Sequence, residues 1–256
     1  MEASPQIEIT LSDEAAGDDM WPRVLMNSIR STWNSPLEAK DVAVILTTGA
    51  MNPAHRGHAQ LLHQAAARLS EAGYHVAGAY LSPTHDGYVQ PKAMRMGTVG
   101  LSNSFRLEVA RRTVLHDDLV ALSPWECSQP GFVDFPHVAD ACQKHFSGEA
   151  TVFYASGTDH ARRCGLLGGM GDIGVVVVPR DGDAKPREIS GKVYVAEPSS
   201  GEVAEFSSTK VRNAVEKADY DYVSRAMSPE AAQFLLRPSP EEREKFQADF
   251  DKIYKK

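Results

Sequence analysis

The sequence predicts an α/β protein, a parallel, doubly wound sheet followed by a helical C-terminal part, and three segments carry this expectation. Val42 to Leu46 (VAVIL) is a continuous apolar run ending on Thr47, Thr48 and Gly49, the pattern of a strand buried on both faces. After an irregular stretch, HAQLLHQAAARLSEAG places Leu61, Leu62, Ala65, Ala66 and Leu69 on one helical face, with Gly73 where a glycine commonly ends a helix. Val76 to Leu81 then reads as a second strand. Together these form a strand–helix–strand unit, whose crossover is nearly always right-handed.

The alternation continues downstream. Phe105 to Leu115 reads as a helix and Leu119 to Leu122 as a short strand. Asp134 can cap a helix with Pro136 in its first turn, ending near Gly148. Thr151 to Ala155, Gly174 to Val178 and Val193 to Ala196 are further strands, the middle one β-branched throughout after its glycine. From Ser207 onward the pattern is helical: Thr209 to Lys217, Pro229 to Leu236, and Pro240 to Tyr254 with Glu241 and Glu242 in its first turn. Residues 1–20 are acidic without helical periodicity and read as a mobile tail, and Trp21 to Trp33 as a docking helix. The expected division is an extension over 1–40, a main domain over 41–237 and a C-terminal helix over 238–256.

Composition narrows the function. A net charge of −7 argues against bulk attraction of nucleic acid. Cys127, Cys142 and Cys164 form no CxxC pair, which argues against a disulfide framework and a cysteine zinc site. The start lacks a signal-peptide pattern, and no run reaches the ~18 apolar residues of a membrane helix. The expectation is a cytoplasmic or nuclear protein with no membrane partner.

In a doubly wound sheet, ligands sit beyond the carboxyl ends of the strands. The first such loop reads TTGAMNPAHRGH. It matches neither GxGxxG nor a P-loop. Gly49 offers a tight turn, Asn52–Pro53 another, and Gly57 close backbone approach. His55 and His58 stand three apart at a helix start, hence on one face, where imidazoles, loop amides and helix N-terminus converge on an anion. Ordinary helix-start histidines would show the same letters; a zinc pair would need a third ligand that is not nearby. Further on, Ser207, Ser208 and Thr209 combine hydroxyls with free backbone N–H groups at a helix start, an anion cradle or a plain N-cap. Asp159 follows a strand and a glycine, where it can accept from ribose hydroxyls or cap a helix beginning at His160. Trp125 and Phe132 suit stacking or a core, and Arg111–Arg112 and Arg162–Arg163 read as solvated faces.

HRGH resembles the HxGH signature of the nucleotidyltransferase superfamily, and FSSTKVR (206–212) resembles its ISSTxxR motif, in the correct order. Within it, the match from Val42 to Leu236 is to eukaryotic-type nicotinamide/nicotinate mononucleotide adenylyltransferases. GAMNPAHRGH is similar to their first loop, SPTHDGY (82–88) to SPVxDxY, SPWEC (123–127) to TWE, SGTDH (156–160) to GxD, and VVVPRDG (176–182) to a strand ending in arginine before glycine. The family's Ser and Phe are Ala50 and Met51 here, its lysine falls on Gln90 with Lys92 nearby, and a later aromatic falls on Met170.

The resemblance implies a Rossmann-like, nucleotidyltransferase-type fold and transfer of AMP from ATP to nicotinamide or nicotinate mononucleotide, with Mg²⁺ bridged by phosphates and water. It implies His55, His58 and Arg212 as catalytic residues. ATP would meet Gly49, Ala50, Met51, His55, His58, Gly157, Asp159, Ser207, Ser208, Thr209 and Arg212. The mononucleotide would meet Asn52, Tyr88, Lys92, Trp125, Phe132 and Arg180. The implied partners are these small molecules, and a homo-oligomer is compatible with the sequence. The same machinery serves sister transferases that act on phosphopantetheine or phosphocholine; SPTHDGY and SPWEC favour the pyridine branch. A non-catalytic nucleotide-binding protein of this fold would not need the intact His55, His58 and Arg212.

Overall fold

The computed structural model describes residues 20–22 and 39–254. The tail expected over 1–20 and the helix expected over 21–33 therefore lie outside the described residues, apart from Met20, Trp21 and Pro22.

Six strands form one sheet: β1 (Val42–Gly49), β2 (His75–Pro83), β3 (Val120–Leu122), β4 (Thr151–Gly157), β5 (Gly174–Val178) and β6 (Val193–Val195). Their order is β3-β2-β1-β4-β5-β6, and every neighbouring pair is parallel. Connections leave β1 in one direction and β4 in the other, so the topological switch lies between these two strands. That is where such a sheet opens a crevice at the carboxyl ends of its strands.

Alternation along β1 explains the two layers. Val42, Val44 and Leu46 face a core with Tyr80, Tyr154, Val175 and Val177, closed by Val138, Ala139 and Cys142 of α4. Ala43 and Ile45 face the other core with Leu62, Ala65 and Leu69 of α1. Here α1 is Arg56–Glu71, α2 Asp86–Arg95, α3 Asn103–Thr113 and α4 Phe135–His145. α1 ends as its sequence predicts: Gly73 has φ 94, Tyr74 N–H donates to the Leu69 carbonyl, and Gly73 N–H donates to that of Ser70.

Two helices are absent from the sequence pattern, α2 and α7 (Tyr220–Ala226), while α5 (Thr158–Arg163) starts two residues before the His160 start, with Gly157 rather than Asp159 at its cap. α2 begins Asp86-Gly87, contains Pro91 and buries only Val89 and Ala93, so its apolar period is faint. The remaining helices are α6 (Ser208–Glu216), α8 (Pro229–Leu236), α9 (Pro240–Lys245) and α10 (Gln247–Ile253). The single helix expected from Pro240 to Tyr254 is thus two. The break falls at Phe246, whose ring enters a cluster with Phe105 and Phe234. That cluster, with Val109, Val211, Phe250 and Ile253, joins the C-terminal helices to α3.

Trp21 is buried: its ring meets Tyr80 edge-on at 5.4 Å and stacks on Trp125 at 6.1 Å. Tyr80 Oη donates to the Pro22 carbonyl. Among the described residues no helix is long and apolar enough to cross a membrane.

Candidate active site

Beyond β1 the chain is held in place by buried side chains. Gly49 continues the strand, and the left-handed residue is Met51 (φ 41), whose side chain is buried in the α1-side core. Both expectations for these residues change: the turn belongs to Met51, and its side chain is spent on packing. Asn52–Pro53 is cis. Asn52 was expected beside the mononucleotide, yet its Nδ2 donates to the Val99 carbonyl and its Oδ1 accepts from Leu101 N–H. Both ends of the amide are consumed in pinning residues 99–101 to the loop.

Arg212 is occupied in the same way. Its guanidinium donates to the Asn52 carbonyl, to Thr98 Oγ1 at 2.6 Å and to Thr209 Oγ1 at 3.3 Å. In this structure Arg212 and Thr209 support the loop from behind and line neither of the two clefts described below. Arg106, fully buried, completes the lacing: it donates to the carbonyls of Ala50 and Leu101 and pairs with Asp86 at 2.9 Å. A buried guanidinium with one unmade bond is costly, so this set of bonds resists rearrangement of the loop.

The two histidines cap α1 reciprocally. His55 Nδ1 accepts from Gly57 N–H at 3.1 Å, and His58 Nδ1 accepts from His55 N–H at 3.1 Å. Their rings lie 3.9 Å apart. With both Nδ1 atoms accepting, a neutral ring carries its proton on Nε2. Burial holds both pKa values down, His58 to about 4 and His55 well below the usual range, with the nearby Arg180 charge acting in the same direction. The pair is therefore neutral at pH 7, each ring keeping an Nε2–H donor. The helix-cap role and the anion-binding role are compatible. A Cβ on Gly57 would stand 3.0 Å from the His55 ring, so only glycine leaves that ring undisturbed.

His55 and His58 line a first cleft of about 400 Å³ together with Gly157, Asp159, Arg180, Ser207 and Ser208. Ser207 Oγ accepts from Lys210 N–H, and Ser208 Oγ donates to the Pro53 carbonyl, tying the start of α6 to the histidine loop. Arg180, expected at the mononucleotide, belongs to this cleft instead, because the end of β5 faces the start of α5 rather than α2.

A second cleft of about 340 Å³ lies on the other side of the switch point. It gathers Tyr88, Lys92 and Phe132, as expected, with Thr48, Phe135 and Glu126. Gly49 and Ala50, expected beside ATP, line it too, since the end of β1 faces this side. Phe132, 43% exposed, stacks on Tyr88 with centroids 5.1 Å apart, and Lys92 Nζ sits 5.2 Å from the Tyr88 ring. Trp125 does not join them: it is turned into the core against Trp21. Burial pushes the Glu126 carboxyl up to about 7, against hydrogen bonds from Thr84 and Ser82.

His160 and Arg163 line both clefts. His160 Nε2 is 3.3 Å from Tyr154 Oη, and its ring meets Phe135 edge-on. Arg163, read from sequence as part of a solvated face, is exposed but borders both cavities, with its Nε donating to the Asp159 carbonyl. The available signal is spacing: His160 and Arg163 stand three apart, hence on one face of the short α5. Arg112, also read as part of a solvated face, bridges Glu108 and Glu242. Among the described residues no cluster of His, Cys, Asp and Glu is suited to hold a metal ion.

No protein-family model matches the chain. It is 33% identical over 101 residues to the nicotinamide/nicotinic acid mononucleotide adenylyltransferase of Arabidopsis thaliana, covering 40% of each chain. It is 34% identical over 92 residues to adenylyltransferase 2 of the same name from Xenopus tropicalis, covering 35% of this chain and 27% of that one. The matched stretch is thus well under half the length of these curated relatives. The structure is similar to nicotinic acid mononucleotide adenylyltransferase of Plasmodium falciparum complexed with NaAD. That likeness has a TM-score of 0.54 at 12% identity and covers 76% of this chain and 95% of the other. The chain therefore has the Rossmann-like α/β fold of the nucleotidyltransferases, and in part of its sequence it is similar to nicotinamide/nicotinic acid mononucleotide adenylyltransferases.

Proposed function

We infer that the protein transfers AMP from ATP to nicotinamide or nicotinate mononucleotide, forming the dinucleotide and pyrophosphate. The observation that carries this reading is the pair of clefts meeting at the sheet's switch point. One holds two neutral Nε2–H donors and Arg180, and the other an aromatic pair with Lys92. The first suits a triphosphate, whose oxygens accept hydrogen bonds and draw a cation. The second suits a flat ring joined to an anion.

In the step, an oxygen of the acceptor's 5′-phosphate attacks the α-phosphorus of ATP. A new P–O bond forms, the bond from α-phosphorus to the bridging oxygen breaks, and pyrophosphate leaves with the electron pair. The attacking oxygen is already anionic, so no side chain need remove a proton. His55 and His58 would donate to the triphosphate, with His58 at the α-phosphate and Arg180 beside the departing pyrophosphate. Ser207 and Ser208 would present the start of α6 to the same phosphates, and Asp159 would accept from the ATP ribose. Arg212 keeps the loop in shape.

The resemblance implies Mg²⁺. The carboxylates of the first cleft, Asp159 and Asp183, are both exposed, which suits an ion delivered on the triphosphate with most of its waters. When bound it would neutralise phosphate charge.

The test is pyrophosphate release with Mg²⁺, ATP and a panel of acceptors. Release with nicotinamide or nicotinate mononucleotide, and none with phosphopantetheine or phosphocholine, supports the reading. Turnover of phosphopantetheine, or none of either pyridine nucleotide, overturns it.

A further inference from the structure

We propose that Arg163 binds the acceptor's phosphate at the mouth joining the two clefts, and so aligns it for attack. This inference rests on the adenylyl-transfer reading. A bond between the two substrates' phosphates can form only where the cavities meet, because each contributes one of the two phosphorus atoms. Among the described residues only His160 and Arg163 line both clefts, and Arg163 is the cation of the two. Lys92 reaches the acceptor cleft alone and Arg180 the ATP cleft alone.

The local geometry suits the task. One edge of the guanidinium is steadied by Nε donation to the Asp159 carbonyl at 3.3 Å, while its Nη groups make no hydrogen bond among the described residues. A planar guanidinium can then place two parallel donors on two phosphate oxygens. His160, held by Tyr154 and edge-on to Phe135, forms the wall beside it. Lys92 and Arg163 charges both act on the His160 ring, so the cations of the acceptor side converge on this boundary. Asp134, which lines the acceptor cleft, acts on the same ring in the opposite sense, and Asp159 lines the other cleft.

The test compares wild type with Arg163→Ala, Arg163→Lys and, as a neighbour lining neither cleft, Arg162→Ala. Two quantities are read: the KM of each substrate, and the ratio of riboside to mononucleotide Kd without ATP, which isolates the phosphate. Arg163→Ala should raise the KM for the mononucleotide roughly ten- to hundredfold, shift that for ATP far less, and bring the Kd ratio toward unity. Arg163→Lys should recover part of the loss, and Arg162→Ala should match wild type. An unchanged Kd ratio in Arg163→Ala overturns the inference, as does equal weakening of riboside and mononucleotide, which marks a structural role. Failure of the wild type to bind or turn over any pyridine mononucleotide refutes the adenylyl-transfer reading and this inference with it. That outcome is visible before any variant is made.

Discussion

The two clefts are built in opposite ways. In the first, the polar groups are fixed by the backbone: His55 and His58 cap α1 reciprocally, Ser207 caps α6, and Ser208 ties its start to the loop. In the second, the lining comes from side chains of separate segments, Tyr88 and Lys92 on α2 and Phe132 before α4, with Phe132 partly open to solvent. Stabilising charge on a reacting phosphate requires donors that do not reorganise, and helix starts supply them. Recognising a flat acceptor requires only a surface that closes on it.

This contrast is broken most easily at His58. His58→Ala should leave a folded protein whose kcat falls by ~10²–10³, measured by pyrophosphate release under saturating substrates. Near-normal turnover would reduce the reciprocal cap to a structural device. The clefts should also separate kinetically. Arg180→Ala should raise the KM for ATP about tenfold and barely alter that for the mononucleotide, and Phe132→Ala should do the converse. Parallel changes in both constants would merge the clefts into one site.

The two aromatic side chains of the 125–132 segment sharpen the comparison on the stability axis. Trp125→Ala removes a ring packed on Trp21 and should lower unfolding stability by up to ~3 kcal/mol, while the exposed Phe132→Ala should leave thermal stability close to wild type. Glu126 gives the smallest effect. Its folded pKa, about 7, exceeds the ordinary 4.5, so the folded protein binds the extra proton between these values. Its contribution is full below pH 4.5 and lost as pH rises through 7, so Glu126→Gln should gain stability over wild type across that window. A pH-independent difference in denaturation midpoint would contradict the buried acid.

The contrast also explains what could be read in advance. All six strands and the helix start at His55 and His58 are legible because continuous apolar runs and a short motif are local features, whereas the reciprocal cap formed by the two rings is not. The lacing behind the loop was not. Arg212 and Asn52 bond residues 98–101 from distant parts of the chain, Arg106 reaches back to Ala50 and Asp86, and nothing in their own neighbourhoods distinguishes a structural guanidinium from one that meets phosphate. Arg180 and Trp125 read as acceptor residues for the same reason: each lies beside a motif, but the direction of the side chain depends on which strand end or core faces it. Arg163 is hidden in the sequence because a basic pair resembles a solvated face until the short α5 places it between two cavities.

The most direct test is a crystal structure of the protein with nicotinate adenine dinucleotide. The adenosine half should lie in the cleft of His55, His58 and Asp159, the pyridine against Phe132 and Tyr88, and the diphosphate at the mouth beside Arg163. A dinucleotide lying wholly within one cleft, or with its halves exchanged, would contradict the account.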